Sequence, residues 1–162
     1  MLTGVNNSLI SNVSVFSGYR GIAFDGVNMW VTNRFSGTVS VLRASDGFHV
    51  MTPTVGAGPV GVAFDGEKIW VTNQGADTVS VLRAIDGGHV MTLTVGPAPT
   101  DIAYDGVNMW VANQNSEYVT ILRASDGTLV MTSTVGLHPV GLGFDGVNMW
   151  VANLASNSVS KR

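Results

Sequence analysis

Residues 61–96 read GVAFDGEKIWVTNQGADTVSVLRAIDGGHVMTLTVG, and this stretch decides the fold. It contains four short runs rich in Val, Thr, Ile and aromatic residues, at 61–64, 69–72, 78–82 and 89–95. Asp, Gly and Asn separate the runs, which is the pattern of β-strands joined by turns. The apolar residues do not follow the i, i+3, i+4, i+7 spacing of a helix. The stretch therefore predicts four consecutive strands.

The same pattern recurs every 40 residues along the chain of 162 residues. Three marker residues return without drift: Asp25, Asp65, Asp105 and Asp145; Trp30, Trp70, Trp110 and Trp150; and Asn33, Asn73, Asn113 and Asn153. Four strands in a repeat of this length are typical of β-propeller blades. We therefore predict an all-β fold, a single β-propeller domain over residues 1–162. Its four-stranded blades correspond to repeats at 15–54, 55–94, 95–134 and 135–162.

The two ends of the chain are complementary within the repeat. Residues 1–15 align with residues 41–55, and Val159 and Ser160 align with Val39 and Ser40. We expect residues 1–14 to close the fourth blade, with residues 5–15 pairing outside residues 158–160. This kind of closure removes the free edges of the sheets.

The number of blades in the closed ring follows from simple geometry. Sheets that pack face to face lie ~10 Å apart, and a blade of four strands is roughly 14 Å wide. Eight such blades leave a narrow central channel, whereas four must splay apart and fill wide outer wedges with large side chains. The outermost strands are mostly Val, Thr, Met and Leu, which fill such wedges poorly. The sequence thus favours a C2 homodimer that forms one eight-bladed ring. The alternatives are a four-bladed monomer and a fragment of a longer array.

Composition narrows the functional classes. Hydrophobic residues make up 45% of the chain and charged residues 12%, which excludes a disordered protein and indicates sheets covered by other sheets. The net charge of −3 argues against a nucleic-acid partner. There is no cysteine, and hence no disulfide or thiolate site. No membrane span or signal peptide is predicted, since no apolar run is long enough and the first residues lack a basic region. The compartment stays open.

The repeat resembles the YVTN-type β-propeller repeat. The resemblance rests on residues 59–66 (PVGVAFDG), 70–73 (WVTN), 78–81 (TVSV), 86–87 (DG) and 90–96 (VMTLTVG). It covers nearly the whole chain, and the blades are also similar to those of NHL-type proteins and of virginiamycin B lyase. The resemblance implies a propeller fold. A departure is the arginine at the end of the third strand in three copies, Arg43, Arg83 and Arg123, where such repeats usually have aspartate.

Residues that return in every copy are predicted to serve the fold. Each Asp-Gly pair, such as the one at Asp65, suits a hairpin turn better than an axial cation site. Each tryptophan stands mid-strand beside valine, as expected of a residue packed between blades. Arg83 and Asp86, like their counterparts, are expected to form a local ion pair. His49 and His89 share their position with leucines, which indicates outer-strand packing.

The loops at one end of the propeller vary between copies. In an antiparallel blade, the loop before the first strand and the loop between the second and third strands lie at the same end, which we call the variable face. The opposite end, the constant face, is nearly identical in every copy. Functional residues often lie in loops on a rigid scaffold, although drift at permissive positions is an alternative. The candidate ligand-binding residues are Arg20, Arg34, Phe35, Gln74, Asp77, Asp101, Gln114, Glu117 and His138.

The sequence favours a non-catalytic binding or scaffolding propeller that recognises a peptide, a glycan or a small molecule on the variable face. No catalytic residue, metal ligand or cofactor is assigned. One alternative is a small lyase or hydrolase with a metal on the same face, and another is a near-symmetric repeat protein without an evolved ligand. A virginiamycin B lyase-like activity would require a histidine, an acid and a metal together on one face. Only His138 and scattered acids could serve, so this activity is not carried over from the resemblance. Arg20 and Asp101 are expected to pair, or to bind groups of opposite charge.

Overall fold

The computed structural model describes residues 18–162, without the side chain of Tyr19. Within this range the chain forms strands and no helix, so no helix here could cross a membrane. The strands are β1 (Tyr19–Phe24), β2 (Asn28–Asn33), β3 (Thr38–Arg43), β4 (His49–Met51), β5 (Pro59–Phe64), β6 (Lys68–Asn73), β7 (Thr78–Arg83), β8 (His89–Thr94), β9 (Pro99–Tyr104), β10 (Asn108–Asn113), β11 (Tyr118–Arg123), β12 (Leu129–Thr134), β13 (Pro139–Phe144), β14 (Met149–Asn153) and β15 (Ser158–Lys161).

The strands form four antiparallel sheets in chain order. Blade 1 is β1–β4, blade 2 is β5–β8 and blade 3 is β9–β12, while β13–β15 are the described strands of blade 4. The predicted all-β propeller with four blades per chain is confirmed. The predicted closure by residues 1–14, and the pairing of residues 5–15 outside β15, fall outside the described residues.

Successive blades pack side to side in the same way. We call the side of a blade that faces the next blade in chain order its forward side, and the opposite side its backward side. The forward side of blade 1, with Trp30 and Val41, packs in one buried cluster with Val62 and Ile69 on the backward side of blade 2. Blades 2 and 3, and blades 3 and 4, repeat this arrangement. The strands are apolar on both sides because each inner blade is covered on both sides.

The tryptophans pack between blades as predicted, except at the end of the row. Trp30 and Trp70 are fully buried, whereas Trp150 is 40% exposed. The forward side of blade 4 has no following blade among the described residues. The innermost strands β1, β5, β9 and β13 each contact the next, but β13 makes no comparable contact with β1 within residues 18–162. Blades 1 and 4 are therefore the two ends of the row.

The Asp-Gly turns at the constant face are held by the aspartate itself. Asp65 Oδ1 accepts hydrogen bonds from the backbone N–H groups of Glu67 (2.8 Å) and Lys68 (2.6 Å), and its Oδ2 accepts one from the indole of Trp70 at 2.7 Å. The same three bonds recur in the other blades. The predicted turn function is confirmed. The bond from indole to carboxylate is a feature that the sequence pattern did not indicate.

These hydrogen bonds lower the pKa of several of the aspartates. Burial of Asp25 raises its pKa, but bonds from the backbone of Asn28, the indole of Trp30 and the backbone of Val27 outweigh this, and the net shift is downward. Asp105 has the same balance. For Asp145 the indole bond from Trp150 is the largest cause, and its pKa is also well below the usual range.

We expect the protein to lose stability in acid. A carboxylate whose pKa is depressed in the folded state stabilises the fold above its unfolded pKa, here near 3.8. That stability is lost as the pH falls below 3.8 through the folded-state values. Thermal melting followed by circular dichroism between pH 7 and pH 2.5 should show a Tm that is steady down to about pH 4 and then falls. A Tm that stayed constant to the lowest pH would contradict this account.

Two other repeated features have different outcomes. The predicted ion pairs at the third turn are confirmed, with Arg83 Nε 3.0 Å from Asp86 Oδ1 and similar pairs in blades 1 and 3. The interpretation of His49 and His89 as packed residues is wrong, because both side chains are exposed. In both histidines the Nε2 atom instead contacts the hydroxyl of the threonine three residues later, Thr52 or Thr92. The two histidines stand at the start of the outermost strand and are exposed, whereas Met91 and Leu93 further along β8 are partly buried against the neighbouring cluster.

Candidate functional site

Hydrogen bonds join three side chains on the variable face, which we call the Arg34–Gln74–Gln114 network. Arg34 Nη2 donates to Gln74 Oε1 at 2.7 Å, and Gln74 Nε2 donates to Gln114 Oε1 at 3.0 Å. These residues occupy the same position in blades 1, 2 and 3, directly after the second strand, and all three are half-buried. In blade 4 the position holds Leu154, which is 61% exposed. Three of the candidate residues are thus brought into direct contact.

An exposed aromatic ring, that of Phe35, follows Arg34 in the same loop. Phe35 is 79% exposed, and its ring covers Gly18 so closely that a Cβ at Gly18 would lie 2.5 Å from a ring carbon. Arg20, on β1, is also exposed. Neither Arg20 nor Arg34 forms an ion pair within the described residues. Within residues 18–162 the variable face thus carries two arginines without an ion-pair partner and one exposed aromatic ring.

Two further candidates share a separate shallow groove between blades 3 and 4. Glu117 and His138 line this groove, whose volume is about 250 Å³, together with Asn115, Ser116 and Leu137. His138 has a φ of 53°, in the left-handed region that favours glycine, and glycine holds this position in blades 1 and 2. The side chain of His138 is therefore held at some cost in backbone strain.

Asp77 serves its neighbouring loop. Its Oδ1 accepts a hydrogen bond from the backbone N–H of Ala98 at 2.8 Å, which connects the loops of blades 2 and 3 at the variable face. Asp77 itself has a φ of 55°. This contact gives Asp77 a structural role in holding the two loops together. Its other carboxylate oxygen has no hydrogen-bond donor within residues 18–162.

Asp101 joins two blades near the axis. Its Oδ2 accepts a hydrogen bond from the backbone N–H of Leu142 in blade 4 at 2.8 Å, and its Oδ1 accepts one from the N–H of Ile102 at 2.9 Å. Burial raises the pKa of Asp101, and the two hydrogen bonds only partly oppose this. Protonation therefore favours the folded state, so this group stabilises the fold less as the pH rises above 3.8. Among the described residues Asp101 forms no ion pair with Arg20, the first of the two outcomes expected for these charges.

A threonine makes the corresponding connection elsewhere. Thr72 Oγ1 accepts from the N–H of Gly61 at 2.7 Å and donates to the carbonyl of Thr100 in blade 3 at 3.4 Å. In blade 3 the threonine is replaced by Ala112, and the glycine by Asp101. The two changes compensate, because each arrangement gives the blade one polar connection to the next.

Replacing Asp101 with glycine should therefore destabilise the protein by roughly 1–2 kcal/mol, because the N–H of Leu142 loses its acceptor in a partly buried position. The second change Ala112→Thr should recover part of this loss, because a hydroxyl at position 112 can accept from the N–H of residue 101 and donate to the carbonyl of Val140 in blade 4, as Thr72 does with Gly61 and Thr100. Urea unfolding of the parent, the two single variants and the double variant measures the coupling. A neutral Asp101→Gly change, or additive effects of the two changes, would show that the position has merely drifted.

The constant face contains a group of residues that comparison of the variable loops missed. Glu67, Lys68 and Tyr104 replace the Val, Asn and Phe of other copies, and they line one groove of about 370 Å³ between blades 2 and 3. The Lys68 side chain is only 14% exposed, and its Nζ lies 3.0 Å from Glu67 Oε2. The three residues are visible in the sequence as breaks in the repeat, so the expectation that this face is nearly identical in every copy is wrong at blades 2 and 3.

The site chemistry is that of hydrogen bonding and charge recognition. Across residues 18–162, no three His, Cys, Asp or Glu side chains come close enough to hold a metal ion. His138 and Glu117 face the same groove, while Asp77 and Asp101 are engaged by backbone N–H groups elsewhere. The arrangement can orient an anionic or hydrogen-bonding ligand against an aromatic ring.

The fold and this face together define a β-propeller chain, and comparisons with known proteins support the same class. The sequence matches no protein-family model and no curated protein sequence. The hydrazine synthase of Kuenenia stuttgartiensis is similar in structure with a TM-score of 0.74 and 19% identity, over 99% of this chain and 52% of that chain. A functionally unknown protein from Desulfotomaculum acetoxidans DSM 771 is similar with a TM-score of 0.77 and 17% identity, over 88% of this chain and 51% of the other.

A computationally designed protein, Ika4, is similar over nearly its full length. The TM-score is 0.79 at 13% identity, and the match covers 94% of this chain and 97% of the designed chain. In contrast, this chain spans about half the length of the two natural proteins. At these identities the likeness shows the fold alone.

Proposed function

We propose that this chain is a non-catalytic binding propeller of the YVTN-repeat type, which recognises a small molecule or peptide on the variable face. The observation that carries the proposal is the Arg34–Gln74–Gln114 network of hydrogen-bonded side chains. The three side chains are half-buried and fixed by one another, so little conformational entropy is lost when they receive a ligand.

The chemistry of the ligand follows from the hydrogen-bond donors in and around the Arg34–Gln74–Gln114 network. Arg34 uses one guanidinium nitrogen for Gln74 and keeps further N–H donors, which suit a carboxylate. Phe35 follows Arg34 in the same loop and offers an exposed ring on which an apolar or aromatic group can stack, and Arg20 is a second exposed cation on the same face. We therefore infer a ligand in which a carboxylate stands beside an apolar group, such as a peptide C-terminus or an aromatic acid.

A thermal-shift and calorimetric screen with benzoate, phenylacetate and short peptides with free or amidated C-termini tests the proposal. The informative variant is Arg34→Gln, since blades 2 and 3 already hold glutamine at this position. The matched control is Arg43→Gln on the constant face. Binding by the parent and the control, with at least tenfold weaker binding by Arg34→Gln, supports the proposal.

Two outcomes would contradict it. Binding that is equal in the parent and in Arg34→Gln would place the site elsewhere, for example in the groove of Lys68 and Tyr104. No binding of any carboxylate in the panel would favour a near-symmetric repeat protein without an evolved ligand. Preference for the free over the amidated peptide would show that the carboxylate itself is recognised.

A further inference from the structure

The forward side of blade 4 is an uncovered copy of a surface that is buried elsewhere in the same chain. Trp150 is 40% exposed and Val159 is 64% exposed. Their counterparts in blade 2, Trp70 and Val79, are both 0% exposed, because blade 3 covers them. The surface of blade 4 has the residues of a blade interface without a partner among the described residues.

The backward side of blade 1 is uncovered in the complementary way along its inner strand. Ile22 is 64% exposed and Phe24 is 52% exposed. The residues at the position of Ile22 in blades 2 and 3 are Val62 and Ile102, which are 9% and 4% exposed. Each of them is buried against the forward side of the preceding blade.

We propose that a second copy of this chain covers both surfaces, with blade 4 of each copy packed on blade 1 of the other, to form one eight-bladed ring. The chain already shows how these two surfaces fit, since the same forward and backward sides pack together three times within it. A contact between unlike surfaces closes into a ring when the rotation between copies allows it. Here two copies of four blades would contain eight equivalent interfaces.

The size of the contact is sufficient for a stable dimer. A six-residue strand is ~20 Å long and four strands are ~14 Å wide, so one blade side has a flat area of roughly 280 Å². Two interfaces, each with two sides, would bury at least about 1,100 Å², which exceeds the ~1,000 Å² expected as a minimum for a biological interface. Within the chain, β1 and β13 make no comparable contact, so its own blade 1 does not fill this role in the described structure.

One charged residue gives this interface a signature. Lys161 stands on the forward side of blade 4, where blades 1, 2 and 3 have the buried Val41, Val81 and Ile121. Its Nζ lies 5.3 Å from the centre of the Trp150 ring. In blade 1, Val41 shares a buried cluster with Val62, the counterpart of Ile22. A residue placed at position 22 of the second copy would therefore lie near the charge of Lys161.

The first measurement is the solution mass of the full chain by multi-angle light scattering over a range of concentrations. A single chain has a mass of 17.0 kDa. The proposal requires a species of twice that mass which dissociates only on dilution. A mass of one chain at every concentration would overturn it in favour of a monomer, and a ladder of larger species would show that the contact does not close after two copies.

Charge substitutions then locate the contact. Ile22→Lys should weaken the dimer at least 100-fold, because two positive charges meet at the interface, whereas Ile22→Glu should be much milder. Adding Lys161→Glu should reverse this order. A loss of folding would affect the monomer and could not depend on the charge of the other surface, so the reversal reports on the contact itself.

The matched control is Val147→Glu. Val147 is 82% exposed, and its counterpart Val107 is 66% exposed even though blade 3 is covered on both sides. Blade 2 has Glu67 at this position, so the change should leave the dimer intact. A dimer that responds equally to the control and to the substitutions at Ile22, or to neither, would overturn the proposed interface.

Discussion

Replacing Trp70 with alanine should cost roughly 3–5 kcal/mol of unfolding free energy, which is the largest effect we expect from any single truncation in this chain. The side chain is fully buried between blades 2 and 3, and its indole N–H donates to Asp65 at 2.7 Å. Alanine would leave a cavity between the blades and remove a donor from the turn. Equilibrium unfolding in urea, followed by tryptophan fluorescence and circular dichroism, measures the loss.

A second variant separates the two contributions. Trp70→Phe keeps most of the buried ring but removes the N–H, so it should lose about 1–2 kcal/mol and mainly affect the turn at Asp65. Trp150→Ala, at the 40% exposed counterpart, should cost clearly less than Trp70→Ala at dilutions where single chains dominate. A loss below about 1 kcal/mol for Trp70→Ala would mean that the tryptophan is not packed between blades.

Replacing Gly61 with valine should also be strongly destabilising, by roughly 2–3 kcal/mol. A Cβ at this position would lie 2.8 Å from the carbonyl oxygen of Thr100 and 3.0 Å from the Cα of Asp101, both in the inner strand of the next blade. Backbone atoms at these distances cannot move aside as a flexible side chain can. The inner strands of blades 2 and 3 would be forced apart.

Gly141→Val is the matched control because it changes the same repeat position in blade 4. Of the atoms in residues 18–162, a Cβ there would meet only the Cβ of Ala152, at an ordinary 3.7 Å. The loss in urea unfolding at low protein concentration should therefore stay below about 1 kcal/mol. Equal losses in the two variants would show that the close approach of the inner strands is not what requires glycine at Gly61.

The comparison between copies explains why this position is not always glycine. Asp101 occupies it in blade 3, where Ala112 has replaced the threonine whose hydroxyl connects the blades elsewhere. In the sequence, the aspartate stood out only as a break in the repeat. Its contact with Leu142, 41 residues away, makes it a structural connection between blades.

The candidate site could be predicted only in part. The variable loops led to Arg34, Gln74 and Gln114 as candidates, because unlike residues at one repeat position are visible in the sequence. That their side chains bond to one another depends on the spacing and tilt of neighbouring blades. The burial of Lys68 between two blades depends on the same packing, and its neighbours come from another repeat.

The sequence by itself determined the all-β class, the four blades, the turns held by aspartate and the ion pairs at the third turn. The strands, turns and ion pairs depend on residues close together in the chain, and the number of blades follows from the 40-residue period of the sequence. Only the tertiary structure decided which side of each blade faces its neighbour, that Asp101 joins blade 3 to blade 4, and that Trp150 and Ile22 are left uncovered. These properties arise from contacts between repeats, and nearly identical repeats acquire different surroundings according to their place in the row.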